Sequence, residues 1–456
     1  MSPTSSSATS ISPGPADLPV VVVGAGPTGL AAAAHLRSRG VAHLVLEAGE
    51  GPGAAVAEWG HVRLFSPWRE LVDPVARELL LEQGWEPPHP DRYPTGARWV
   101  DDYLRPLAEV LAPAVRYGTR VTAVARHGRD RLVSSGRDRS AFTLHLRASA
   151  GTEHLAARAV VDATGTWGTP NPLGGDGVVA LGERESADRI GYRVPDLDQA
   201  VQRSRFAGRH MVVAGTGASA KGALLALTAL AESDPGTTIT WLVRRSRVGA
   251  AFAGSGQDEL PQRGALGQLA RAAVDRGPVT TRTGFRTAEV RRRDDDRLDL
   301  VAFDGQVVEE VDEVLALTGF RPDLGWTDEL RLDLDPVLQA PRALAPLIDP
   351  NEHSCGTVYP HGVAELAQPE VGYYPVGMKS YGRATSFLAL TGFEQTRSVA
   401  AALAGDHEAA ARVELTLPDT GVCGGAGTFD DESADGGGCC GAPAVEVLSI
   451  GGVGTR

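Results

Sequence analysis

Two glycine-rich hexads carry the first chemical suggestion in this sequence. Gly24-Ala25-Gly26-Pro27-Thr28-Gly29 follows the apolar run Val20-Val21-Val22-Val23, and Gly215-Thr216-Gly217-Ala218-Ser219-Ala220 follows Met211-Val212-Val213-Ala214. In such a turn the first glycine permits a tight bend and the second lets the backbone approach a pyrophosphate. The third small residue brings helix and strand together, and the helix N-terminus favours the anion. The two hexads differ in what ends the next strand. Glu47 follows Leu44-Val45-Leu46, and its carboxylate can accept from ribose hydroxyls. Arg244 and Arg245 follow Ile239-Thr240-Trp241-Leu242-Val243, and guanidiniums suit a 2′-phosphate. One site is therefore expected to hold an ordinary adenosine and the other its phosphorylated form, NADPH rather than NADH.

The elements that must position these turns repeat one grammar of strand, glycine turn, helix and strand. A helix is expected from Leu30 to Arg39, stopping at Gly40, and another through Leu224 to Ala231. The fold class is α/β, with two Rossmann-like dinucleotide-binding domains. An exposed helical piece near Trp99 to Val110 and a β-rich stretch from Val121 to Val161 separate the two units. Strand-like Val314-Leu315-Ala316-Leu317 follows the second unit, and a long helix runs roughly from Ser386 to Ala404. The second domain is thus expected as an insertion in the first: residues 18–170 and 316–417 form one domain and 171–315 the other. Residues 1–17, rich in Ser, Pro and Thr, read as a disordered leader, and 418–456 as a flexible Gly/Cys tail.

A chain of 456 residues exceeds what one core usually organises. Its net charge of −13 argues against nucleic acid or an anionic membrane surface as main partner. It has no apolar run long enough for a spanning helix, and no secretory signal, so a cytoplasmic location is expected.

Further stretches resemble the class B, flavin-containing monooxygenase-like group of two-dinucleotide-domain flavoproteins. Asp162-Ala163-Thr164-Gly165 with Pro170 and Pro172 is similar to that group's first passage between domains. Leu317-Thr318-Gly319-Phe320-Arg321-Pro322-Asp323 is similar to the return. The resemblance implies FAD at Gly24, Gly26, Pro27, Gly29, Glu47, Val121, Thr164, Gly165 and Gly377, and NADPH at Gly215, Gly217, Ser219, Ala220, Arg244 and Arg245. It also implies that a flavin hydroperoxide passes oxygen from O2 to a small-molecule substrate. Two signatures depart from the group. Phe206-Ala207-Gly208-Arg209-His210 runs straight into a strand without the trailing aromatic, and Gly51-Pro52-Gly53, then Ala54 and Trp59, replace a Gly-Gly-x-Trp segment. Gly60-His61-Val62-Arg63-Leu64-Phe65-Ser66-Pro67-Trp68, Gly377 to Arg383 and Leu415 to Cys423 resemble flavin-binding monooxygenases of arsenic-resistance operons. This implies a soft nucleophile containing arsenic or sulfur, with Lys379 and Arg383 as candidates to stabilise charge on reduced flavin.

The four cysteines are Cys355, Cys423, Cys439 and Cys440. None forms a Cys-x-x-Cys pair near a glycine turn, so a built-in dithiol relay is unsupported. Cys423, Cys439 and Cys440 on a glycine-rich tail are instead candidates to grip arsenic(III). No zinc pattern or hydrolase motif is present. Two rival functions stay open: an NADPH-dependent reductase or oxidase serving a thiol, quinone or metalloid acceptor, and an FAD-binding redox sensor.

Overall fold

Short apolar runs that end at glycine make the parallel strands. In a computed structural model, which describes residues 17–252, 261–349, 360–384 and 387–415, β1 (Val20–Val23) is buried along its whole length. It lies between β2 (His43–Leu46) and β7 (Ala159–Asp162), both parallel to it. With β3 (Val115–Arg116) and β16 (Tyr373–Pro375) they form a five-stranded sheet in the order β16-β7-β1-β2-β3. Strands buried on both faces need apolar side chains throughout, which is why Val20–Val23 shows no alternation.

The helix Pro27–Ser38 follows β1. It starts three residues before the position read from the sequence, because Pro27 has a fixed φ and no N–H to lose, which suits a first helical turn. Leu30 to Leu36 are all buried, so the helix is covered on more than one side. The helix Ala389–Leu403 lies across it, with Gly392 leaving room for Thr28 and Phe387.

The stretch read as an exposed helical piece is different in the structure. A turn of helix, Gly96–Trp99, runs through a π-helical turn, Val100–Leu104, into the helix Arg105–Leu111. Trp99, Val100, Tyr103, Leu104, Leu107 and Leu111 are buried in the main core. Their spacing places them on one helical face, which dehydrates on packing.

The strands of the second sheet are β8 (Ile190–Gly191), β9 (His210–Ala214), β10 (Thr238–Val243), β11 (Val279–Thr283) and β15 (Glu313–Ala316). Their order is β11-β10-β9-β15-β8. Every pairing in it is parallel. The helices Ala218–Ser233 and Pro261–Arg276 pack on one another beside it. Two antiparallel meanders complete the strands of the described residues. One is β4 (Arg120–Arg126), β5 (Phe142–Ala148) and β6 (Gly151–Ala157); the other is β12 (Thr287–Arg292), β13 (Leu298–Ala302) and β14 (Val307–Val311).

The first meander is fixed to the main sheet by a buried ion triad. Glu370 accepts from Arg126 Nε at 2.6 Å and from Arg137 Nη2 at 2.7 Å. Burial alone would raise the Glu370 carboxyl, but hydrogen bonds from Arg137 and Arg126 outweigh it and hold the group below the usual carboxylate value.

Candidate cofactor sites

The three small positions of each hexad are demanded by different neighbours. At Gly24 the backbone is left-handed, with φ +103°, and an added Cβ would stand 2.7 Å from the Ala163 carbonyl oxygen. At Gly29 an added Cβ would stand 1.9 Å from the Gly24 carbonyl oxygen. The protein itself requires glycine at both. At Gly26 φ is −76°, and no protein atom lies within 4 Å of a would-be Cβ. No neighbouring protein atom demands that glycine, whereas a cradle in which the protein backbone must approach a pyrophosphate would.

The second hexad behaves the same way. A Cβ on Gly215, at φ +123°, would meet the Leu317 carbonyl oxygen at 2.2 Å, whereas Gly217 has nothing within 4 Å. Ala220 is fully buried and Ser219 is exposed beside it. Trp241 Nε1 donates to the Gly215 carbonyl at 2.7 Å and fixes the turn from behind.

Glu47 sits at the mouth of the first turn. Its Oε2 accepts the Ala25 N–H at 2.7 Å and its Oε1 accepts the Gly49 N–H at 2.7 Å. A carboxylate has about four lone-pair sites, so two remain for hydroxyl donors. The Thr119 N–H donates to the Glu47 carbonyl at 2.8 Å, bringing the start of β4, and with it Val121, near the same rim.

At the matching place in the second unit stand cations. The protein packed around Arg244, then the like charges of Arg245 and Arg286, lower the Arg244 guanidinium although its side chain reaches solvent. Repulsion of this kind is relieved by an anion placed between the groups. Arg286 was not read from the sequence. It lies just past β11, the strand next to β10, so inspecting the ends of both neighbouring strands could have found it.

The two passages between the units are tied together. The Asn171 N–H donates to the Gly319 carbonyl at 2.9 Å and the Arg321 N–H to the Thr169 carbonyl at 3.0 Å. Asn171 Oδ1 accepts from Arg321 Nε at 2.8 Å, and Trp167 stacks on Phe320 with ring centroids 4.7 Å apart. Glu58, beyond the first cradle, reaches across to Arg193 at 2.7 Å and accepts from Trp167 Nε1 at 3.0 Å.

Beneath Thr164 and Gly165 is a buried polar cluster. Asp162 Oδ1 accepts from the Thr164 hydroxyl at 2.6 Å, and Oδ2 accepts from the Tyr373 hydroxyl at 2.7 Å. Lys379 Nζ lies 3.3 Å from Asp162 Oδ2, donates to Thr164 Oγ1 at 3.2 Å and also reaches the Asp323 carbonyl. Burial, then the charge and hydrogen bond of Asp162, push the Tyr373 phenol well above its ordinary value, so it remains a donor. Lys379 thus joins three segments: the first passage, the return, and the loop after β16. Arg383 is exposed and donates to Gln339 Oε1 at 3.0 Å. Gly165 is left-handed, with φ +64° and open space in front of it.

Gly377 comes against the first hexad. Its φ is +67°, and a Cβ there would meet Thr28 Oγ1 at 2.7 Å. Its N–H donates to Gln395 Oε1 at 2.6 Å, and Gln395 Nε2 donates to Ser380 Oγ at 2.9 Å. The structure therefore gathers Gly24, Gly26, Pro27, Gly29, Glu47, Thr164, Gly165 and Gly377 around one place, and Gly215, Gly217, Ser219, Arg244 and Arg245 around another. Cys355, Cys423, Cys439 and Cys440 lie outside the described residues, as do the leader up to residue 16 and the tail from 418. Among the described residues no cluster of His, Cys, Asp and Glu could hold a metal, and no helix is long and apolar enough to cross a membrane.

Comparison with known proteins agrees with this architecture. Residues 21–354 match the family described as pyridine nucleotide-disulphide oxidoreductase. The bacillithiol disulfide reductase of Bacillus cereus superposes with a TM-score of 0.61 at 20% identity, over 85% of this chain and 99% of that one. The FAD-bound cadaverine monooxygenase of Erwinia amylovora gives 0.58 at 15% identity, over 88% and 98%. A flavin-containing monooxygenase from Stenotrophomonas maltophilia gives 0.50 at 22% identity, over 85% and 98%. These likenesses are of fold. A search of curated proteins by sequence returns no match.

Proposed function

The chain belongs to the pyridine nucleotide-disulphide oxidoreductase family, and we propose that it works as an NADPH-consuming monooxygenase on a small soft nucleophile containing arsenic or sulfur. That it is an FAD-dependent oxidoreductase is the coarse part of this reading; oxygen transfer is the finer part. One observation carries the finer part. The stretch that matches the family, residues 21–354, contains no cysteine at all. Electrons arriving at a flavin there find no dithiol within that stretch to receive them, and a diffusible acceptor such as O2 is the alternative.

A bound FAD supplies the hydride acceptor and the capacity to activate O2, chemistry that no side chain offers. The chain's own residues bind and orient. Glu47 takes ribose hydroxyls, and the N–H groups at the start of the helix Pro27–Ser38 face the pyrophosphate across the open side of Gly26. Arg244 and Arg245, with Arg286, take the 2′-phosphate of NADPH. The paired passages at Thr169–Asn171 and Thr318–Arg321 are hydrogen-bonded to one another, and Lys379 pairs with Asp162 beneath the first of them.

The test supplies the FAD-loaded chain with NADPH and ¹⁸O₂ beside arsenite, a trivalent organoarsenical or a small thiol. Label in one product, with NADPH and O2 consumed in equal amounts, is expected. Oxygen appearing only as peroxide with every compound would refute oxygen transfer. A second reading, reduction of a thiol or metalloid acceptor, is favoured by the adjacent pair Cys439-Cys440. It requires that deleting residues 418–456 abolish acceptor reduction.

A further inference from the structure

The segment Gly60 to Trp68, singled out in the sequence, lies outside both glycine hexads. It is zippered to Pro90–Ala97 by backbone hydrogen bonds. Leu64 N–H donates to the Pro94 carbonyl at 2.9 Å, Trp68 N–H to Arg92 at 2.9 Å and Gly96 N–H to Val62 at 2.9 Å. Beside this zipper, lined by residues of both segments and of the helix that follows, lies a cleft of about 410 Å³, within the range of small-molecule sites. Part of its wall is therefore held by main-chain hydrogen bonds.

The lining is rich in donors. Arg63, Arg92 and Arg98 all face the cleft, with His89 beside them. Asp102 is the only carboxylate in the lining, and it is already engaged by Arg98 Nε at 2.9 Å. Arg63 uses one Nη on the Tyr93 carbonyl at 2.6 Å, leaving most of its fork. Arg92 has no side-chain partner among the described residues. Trp68, 5% exposed, forms apolar wall together with Pro88 and Pro94. Three guanidiniums against one carboxylate form a local positive field in a chain whose net charge is −13.

We propose that this cleft binds a small organic oxyanion: a carboxylate, phosphonate or arsonate head on a flat apolar body. The forks of Arg63 and Arg92 suit two oxygens of the head, and the indole and prolines suit the body. The cleft is mechanically connected to the first cradle, since Trp59 packs on Gly96 and the Gly53 N–H at the start of that excursion donates to the Ala25 carbonyl at 2.8 Å.

Calorimetric titration of the FAD-loaded chain with benzoate and with phenylphosphonate tests the proposal, with benzyl alcohol as the neutral control. Both acids should bind saturably at one site, and each of R63Q and R92Q should weaken them about tenfold or more, the scale of one lost charge-assisted hydrogen bond. Both side chains are exposed, so the variants should fold as the wild type does, which a urea unfolding curve checks. The proposal fails if neither acid saturates below about 10 mM. It fails equally if the variants bind as the wild type does, or if the alcohol matches the acids. Because the titration reads binding without turnover, its failure is separate from failure of the oxygen-transfer reading.

Discussion

Replacing Gly26 and Gly24 by alanine separates a glycine kept for a ligand from one kept for the fold. At Gly26 φ is −76° and ψ −177°, a region open to every residue, and the new methyl meets no protein atom within 4 Å. Folding of G26A apoprotein should therefore stay within about 0.5 kcal/mol of wild type. Bound dinucleotide would meet that methyl. If the pyrophosphate is pushed off two backbone N–H groups worth about 1.5 kcal/mol each, FAD affinity falls by about 10²-fold. G24A reverses the pattern. Its φ of +103° and its approach of 2.7 Å to the Ala163 carbonyl make the apoprotein pay strain of at least about 2 kcal/mol. Urea unfolding of both apoproteins and fluorescence titration with FAD measure the two quantities separately. Equal loss of stability in the two variants, or unchanged FAD affinity in G26A, would refute the assignment of Gly26 to the ligand.

Other expectations follow from the same geometry. R244Q combined with R245Q should raise KM for NADPH by about 10²-fold while leaving KM for NADH within about threefold, because only NADPH carries the 2′-phosphate proposed to meet these groups. K379M should destabilise the fold by about 3–5 kcal/mol, because it strands the carboxylate of the fully buried Asp162. D162N/K379M should cost less than the sum of the single changes, as a double-mutant cycle in urea will show. The Glu370 carboxyl is depressed in the folded state, so its contribution is fully present above the unfolded pKa of about 4.3 and is lost as pH falls through the folded value. E370Q should therefore be less stable than wild type at pH 7, with the difference shrinking as acid unfolding is approached.

Much of the fold was legible because short apolar runs ending at glycine leave few alternatives. Val20–Val23 and Met211–Ala214 each announce a buried strand, and both strands are buried in the structure. What escaped notice depends on contacts distant in sequence. Asp162 meets Tyr373 across 211 positions, and Lys379 meets Thr164 across 215. A charge ending an apolar strand at Asp162 was a usable signal, but its partners were not. The stretch from Trp99 to Val110 reads as exposed because its polar residues, Asp101, Asp102 and Arg105, occupy the outer face and mask a buried stripe. Pairing of the two passages through Asn171 and Arg321 follows from chain geometry that no local pattern encodes.

Anaerobic titration of the FAD-loaded chain with reduced nicotinamide tests most directly the claim that two cradles hold different dinucleotides. NADPH should bleach the flavin absorbance completely at one equivalent, and NADH only at far higher concentration. A chain that takes up no FAD, or whose flavin is indifferent to NADPH, would contradict the account.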